Sequence, residues 1–314
     1  MIFDLAVILL LLSTGVIYQQ VGARQDAKIL VPPGELYQVH GENMHLYTGG
    51  EGDVTVVLAS GWGTANPYVD YYPLYEKLAP NTKFAVYDRF GYGYSDQTDQ
   101  KRDVDTLAEE LHELLQVSGQ KPPYVLVGHS LGSLETIRFA QKYPELVKGI
   151  VMIDGGSPEY YAKDDDSLAD TIGGFANKFR IQTGLFRLSM QSDLVVETSN
   201  ANRNKLKLVP DELKKIDTTA LLHNYGNANT LDELREIAEN AKVVVDHKQP
   251  FPFPLTILTA DYLGASEPDW DKSQAEFISW SDDSKQITIK DTDHYIHQYH
   301  PDLVADEILA LVKK

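Results

Sequence analysis

The stretch Tyr124-Val125-Leu126-Val127-Gly128-His129-Ser130-Leu131-Gly132 decides the fold. Its first half is a run of β-formers. It ends in Gly-x-Ser-x-Gly. A helical pattern starts at once, with Leu131, Leu134, Ile137 and Ala140 at helical spacing up to Tyr143-Pro144. Strand, sharp turn and helix together are the setting of a nucleophile elbow. The turn forces the serine backbone into a strained conformation. Glycines on either side remove side chains that would strike the adjacent strand and helix. Ser130 is then expected to stand over a helix N-terminus, where free N–H groups favour negative charge.

Outward from this turn, strands alternate with helices. The run Val54-Thr55-Val56-Val57-Leu58-Ala59 is continuous and apolar, as a strand covered on both faces should be, and it ends in Ser60-Gly61-Trp62-Gly63. A Gly-rich loop at the end of a parallel strand is a ligand position in open α/β sheets. Residues 83–88 form the next strand and run into Asp88-Arg89-Phe90-Gly91-Tyr92-Gly93-Tyr94-Ser95. No Lys-Ser/Thr pair follows these glycines, so the loop is read as structural rather than as a phosphate cradle. The helix over 103–117 buries Val104, Leu107, Leu111, Leu114 and Leu115. Residues 147–154 form a strand that ends on Asp154. Later come a strand over 255–259 followed by Asp261, a strand over 285–290 followed by Asp293-His294, and a closing amphipathic helix. The pattern predicts a parallel sheet with helices on both faces.

The alternation lapses over 155–249, which is mostly helical and polar. It is read as an inserted helical cap. The expected organisation is therefore an N-terminal segment (1–23), a linker (24–34), the core in two parts (35–154 and 250–314) and the cap between them. Phe175, Phe179, Phe186 and Leu188 suggest an apolar pocket in the cap, and Asp164-Asp165-Asp166 reads as a solvated face.

Residues 2–18 are nearly all apolar and close to the lower limit of roughly 17 residues for a spanning helix. An uncleaved membrane anchor is the first expectation, and a cleaved signal peptide with Val21-Gly22-Ala23 at its cleavage site is the second. Arg24 and Lys28 after the segment pull toward a cytoplasmic side, whereas a signal-like segment before an enzyme domain argues for export, tethered or secreted. The net charge of −18 repels phosphate backbones and argues against nucleic acid. The chain has no cysteine, which excludes a disulfide framework, a thiolate nucleophile and Cys–zinc sites. No metal or organic cofactor is implied.

The order along the chain is a serine elbow, acids at strand ends, then a histidine after the last strand. Together with Ser-Gly-Trp-Gly, Asp88-Arg89-x-Gly-x-Gly-x-Ser and Pro301 seven residues beyond His294, it resembles the α/β-hydrolase family from about residue 35 to the C-terminus. Ser60 departs from the family by replacing the histidine that usually opens the first motif. The resemblance implies a mostly parallel eight-stranded sheet with a helical cap. It also implies an oxyanion hole made by the N–H groups of Trp62 and Leu131, worth about 3 kcal/mol per donor. Ser130 would be the nucleophile and His294 its base, with His297 in a supporting or structural role. The acid is open. The family's usual turn reads Ala260-Asp261-Tyr262-Leu263 here, with Leu263 at the usual Asp position. Members similar to haloalkane dehalogenases carry the acid one strand earlier, where Asp154 stands. Asp154 is the first choice and Asp261 the alternative.

These residues predict a serine hydrolase, a carboxylesterase for small or medium acyl esters. Two alternatives stand beside it. One is a proline-iminopeptidase-like aminopeptidase, with Glu159 or Asp164 holding the substrate amine. The other is a non-catalytic, membrane-tethered binding protein on the same fold. In the family it resembles, members with dehalogenase or epoxide hydrolase activity carry Asp at this position, so the resemblance together with Ser130 argues against that chemistry.

Overall fold

A computed structural model describes residues 2–163, 177–265 and 268–314. Eight strands form one sheet: β1 (Glu35–Val39), β2 (Glu42–Gly49), β3 (Thr55–Ala59), β4 (Lys83–Tyr87), β5 (Tyr124–His129), β6 (Val147–Ile153), β7 (Leu255–Ala260) and β8 (Ser284–Ile289). Their order is β1-β2-β4-β3-β5-β6-β7-β8. β2 runs antiparallel to both β1 and β4, and every other pairing is parallel. β3, β5 and β7 are buried along their whole length, which explains their unbroken apolar runs. β8 lies at the edge and is mostly half-exposed or exposed.

Successive residues of β5 feed opposite layers. Leu126 packs with the helices Val104–Val117 and Gly132–Lys142, whereas Val125 and Val127 pack with Tyr72–Leu78 and Pro301–Lys313. This is the doubly covered, mostly parallel sheet expected from the sequence. From β3 the chain moves to β4 on one side, and β5 lies on the other. The reversal opens a crevice beyond the carboxyl ends of β3 and β5, where ligands bind in sheets of this kind. The Ser60–Gly63 loop and Ser130 both lie there.

Between β6 and β7 the described residues carry short helices at Pro158–Tyr161, Leu185–Ser189 and Asp193–Ser199 and long ones at Asp211–Asn224 and Ala228–Asp246. The acidic run Asp164-Asp165-Asp166 and Phe175 lie outside the described residues.

The N-terminal segment departs from expectation. One helix covers Ile2–Ile29, through most of the expected linker. Residues 19–28 are rich in Gln, Ala, Arg and Lys, which favour helix, and no proline interrupts before Pro32. Gly15 and Gly22 let the cap approach: a Cβ at Gly15 would lie 2.2 Å from the Thr183 carbonyl oxygen, and one at Gly22 would lie 2.5 Å from Arg187 Nε. Arg187 forms a buried ion pair with Asp26 and donates to Gln19 Oε1 at 3.0 Å. Among the described residues, no helix is long and apolar enough to cross a membrane. The membrane-anchor expectation is corrected on that ground. The tethered placement derived from the anchor is withdrawn with it.

Candidate active site

Ser130 leaves the end of β5 with φ +51°, the left-handed region a side chain rarely adopts. Close packing imposes this. A Cβ at Gly128 would sit 2.7 Å from Thr136 Oγ1, and one at Gly132 would sit 2.6 Å from the Ser60 carbonyl oxygen. The Ser130 N–H is spent on the Ile153 carbonyl of β6 at 3.2 Å. The helix Gly132–Lys142 begins directly behind the serine. The buried phenol of Tyr161 reaches the Ser130 hydroxyl, and burial pushes that phenol well above its ordinary value.

Asp154 leaves the adjacent strand β6 with φ +45° and is fully buried. Its Oδ2 lies 2.6 Å from His294 Nδ1. The same oxygen accepts from the Tyr262 hydroxyl at 2.6 Å. Oδ1 accepts from the Ala260 N–H at 3.1 Å and Trp270 Nε1 at 3.2 Å. A carboxylate only accepts, so Nδ1 carries the proton and Nε2 is left as a base. Asp261, the other acid considered, lies elsewhere. Its carboxylate accepts from the N–H groups of Leu263 at 3.1 Å and Thr292 at 3.2 Å. Burial opposes its charge, but the main-chain donors together hold it below the usual carboxylate range. His294 is thus brought to Asp154, and Asp261 braces the turn beside it.

The His294 ring lies 4.8 Å from that of His129, the residue before the serine. His129 is fully buried, and burial keeps its imidazole far below the usual histidine range. The His297 ring packs edge-on against His129, 5.1 Å between centroids, but its polar contact points elsewhere. Its Nε2 meets Asp70 Oδ2 at 2.8 Å in a buried cluster where Arg203 joins Asp70 to Asp217. Burial opposes the charge on Asp70, but His297 and Arg203 hold its carboxyl well below the usual range. His297 therefore ties core to cap, a structural role.

The expected oxyanion donors flank the same crevice. Among the described residues, neither the Trp62 nor the Leu131 main-chain N–H is spent on a protein acceptor. The Trp62 indole donates to the Thr230 carbonyl of the cap at 2.7 Å. Arg89 is the residue the sequence reading missed. Its Nη1 donates to the Ser60 carbonyl at 2.8 Å, and Nε donates to Glu233 of the cap at 2.9 Å. Local sequence alone makes the loop after β4 structural. An arginine directly after a strand that borders the crevice was the available signal.

Beside Trp62 lies a cavity of about 240 Å³, bounded by Tyr92, Leu221, Tyr225, Leu231 and Leu234 among others. Among the described residues, no charged side chain lines it. It replaces the pocket expected from cap aromatics, since Phe179 and Leu188 are exposed and Phe186 stacks on Tyr225. Glu159 is engaged with Lys248 at 2.6 Å and Trp280 Nε1 at 3.3 Å, and Asp164 lies outside the described residues.

The alpha/beta hydrolase fold description matches residues 54–248. The chain belongs to the alpha/beta hydrolase family. This alpha/beta hydrolase is 30% identical to the uncharacterised protein YbdG of Bacillus subtilis, over 99% of this chain and 95% of that one. It is 31% identical to a pimeloyl-[acyl-carrier protein] methyl ester esterase of Yersinia pseudotuberculosis, over 61% of this chain and 72% of that one. The bromoperoxidase of Bacillus anthracis shares the fold at a TM-score of 0.68 and 16% identity, covering 89% of this chain and 99% of that one.

Proposed function

We propose that this hydrolase is a serine carboxylesterase acting on small or medium acyl esters. The contact that carries the reading is His294 Nδ1 to Asp154 Oδ2 at 2.6 Å, in the crevice where Ser130 stands at positive φ. Ser130 Oγ attacks the ester carbonyl carbon while its proton passes to His294 Nε2. Asp154 stabilises the imidazolium, and the N–H groups of Trp62 and Leu131 receive the oxyanion. Collapse breaks the bond to the alkoxide, which takes the proton from His294. Water then attacks the acyl-enzyme by the same route and frees the acid. No cofactor enters this scheme.

The cavity beside Trp62, with no charged side chain among the described residues that line it, supports a neutral acyl group as ligand. The name of the Yersinia relative, a methyl ester esterase, accords with ester chemistry. The aminopeptidase alternative is weaker, because Glu159 is already paired with Lys248. The non-catalytic alternative has no feature in its favour.

The test is Ser130→Ala assayed with p-nitrophenyl esters. Loss of roughly 10⁶-fold in kcat is expected, together with loss of labelling by a fluorophosphonate probe. Undiminished turnover sinks the proposal. Release of proline from Pro-β-naphthylamide by the wild type would favour the peptidase instead.

A further inference from the structure

Tyr262 stands in the turn after β7, where it and Leu263 take left-handed angles of +49° and +57°. Bulky residues rarely hold such angles unless their surroundings fix them. Here the surroundings do. Besides the Asp261 bonds already described, the Leu263 N–H donates to the Thr292 carbonyl at 2.9 Å. The turn carries the Tyr262 hydroxyl to 2.6 Å from Asp154 Oδ2 and 3.5 Å from His294 Nδ1. With Ala260 and Trp270 on Oδ1, the carboxylate has two donors on each oxygen, which fills its lone-pair sites. Burial and the neighbouring Asp154 charge raise the Tyr262 phenol far above its ordinary value, so it stays protonated and donates.

We propose that Tyr262 is a positioning residue that tunes the catalytic base: its hydroxyl shares the Asp154 oxygen that holds His294, fixing the ring and weakening that oxygen's pull on the imidazolium. This rests on the Ser130–His294–Asp154 reading above. The sign follows from competition. A donor on an anion draws off charge that the second donor would otherwise feel. With Tyr262 present, the imidazolium is less stabilised, and His294 stays neutral, and active as a base, to lower pH. The other groups around His294 do not change with Tyr262. Asp293 accepts the His294 main-chain N–H at 2.7 Å. The rings of His129, Trp270 and Tyr295 lie 4.8, 6.0 and 5.5 Å from the imidazole. Burial keeps His129 neutral, so it adds no charge. Tyr161 faces Ser130 and is likewise kept protonated by burial.

The experiment measures kcat/KM against pH for p-nitrophenyl acetate with three full-length proteins: wild type, Tyr262→Phe, and protein carrying 3-fluorotyrosine at position 262 alone. Fluorination makes the phenol a stronger donor without removing an atom used in packing. Tyr262→Phe should move the acid limb up by roughly half to one pH unit. It should also lower plateau kcat by about 3–10-fold with a smaller change in KM. The fluorinated protein should move the limb down. A merely structural tyrosine would move neither limb. If Tyr262→Phe does not fold, the fluorinated protein decides alone. A wild type that reacts with fluorophosphonate, with limbs that coincide in the folded variants, overturns this inference and leaves the hydrolase reading standing. A wild type with neither labelling nor an acid limb overturns both.

Discussion

Arg89 and Glu233 form a buried ion pair across the joint between core and cap, Nε to Oε1 at 2.9 Å, while the same guanidinium holds the Ser60 carbonyl at 2.8 Å. The loop that leads to Trp62 is therefore positioned by a residue whose charge is balanced from the cap. Glu135, from the helix after Ser130, approaches Arg89 Nη1 at 3.2 Å, and the Tyr92 hydroxyl donates to Glu233 at 2.6 Å. Cap, the helix after Ser130 and the Ser60–Trp62 loop share one buried network.

Glu233→Ala should damage both stability and turnover. Removing one partner of a buried pair typically destabilises by about 3–5 kcal/mol. Glu135 remains beside Arg89, which puts the expectation at the lower end. Freed from the cap, Arg89 would no longer hold the Ser60–Trp62 loop in one place, so kcat should fall on the order of tenfold, short of the 10²–10³ for loss of a whole oxyanion donor. Thermal melts and steady-state kinetics check this. A rise in KM at constant kcat would show that the network serves the cap alone.

Glu135 offers a pH test of the same network. Burial is the larger influence and Arg89 opposes it; the net result is a carboxyl raised from an ordinary value of 4.5 to about 7. The native state therefore binds more protons than the unfolded state between those values, and stability falls as pH rises through that window. The contribution amounts to about 3 kcal/mol, accumulated between the two pKa values and constant above them. Glu135→Gln lacks this titration. Its Tm relative to wild type should climb from pH 5 to pH 8 and level off beyond. A difference curve that stays flat over that range would count against the raised carboxyl.

Asp154→Asn and Asp261→Asn separate the two acids that the sequence left open. The first removes the acceptor that fixes the His294 tautomer, and roughly 10⁴-fold in kcat should go with it. The second weakens a turn that still has the Leu263–Thr292 main-chain bond, so activity should stay within about threefold of wild type and Tm should drop by a few degrees. Equal losses in the two variants would mean that the 2.6 Å contact to His294 does not identify the working acid.

What could be read from the chain beforehand follows from where each signal resides. Runs such as residues 124–129 and 255–260 are apolar because both faces of their strands are covered, so the parallel, doubly covered sheet was legible locally. The Ser130 elbow was legible because its glycines and its strand-to-helix setting lie within one short stretch. The partner of His294 was not, since Asp154 and Asp261 both end strands and only the sheet order places one of them against the imidazole. Tyr262 was invisible for the same reason, and Arg89 showed only its place after a strand, not its partner. Their partners lie 108 and 144 residues away along the chain, and nothing in local spacing encodes such contacts. The N-terminal helix misled in the other direction. Its first residues resemble an anchor in composition, but its remainder carries Gln19 and Asp26, which meet Arg187 of the cap.

Gly15→Leu tests that last contact. The Gly15 Cα faces the main chain of the cap, and a Cβ there would overlap the Thr183 carbonyl oxygen at 2.2 Å. A main-chain atom cannot swing aside as the end of a long side chain can, so helix and cap must separate locally. Overpacking of this kind costs about 1–3 kcal/mol. Gly22→Leu provides the contrast, because its nearest neighbours are the side-chain atoms of Arg187. That change should act through the Asp26–Arg187 ion pair, and its effect should shrink in an Arg187→Met background. Thermal melts of the five proteins (wild type, Gly15→Leu, Gly22→Leu, Arg187→Met and the Gly22→Leu/Arg187→Met double variant), with hydrogen exchange over residues 183–190, check both expectations. If Gly15→Leu melts with wild type and leaves exchange in that segment unchanged, the helix does not dock on the cap in solution.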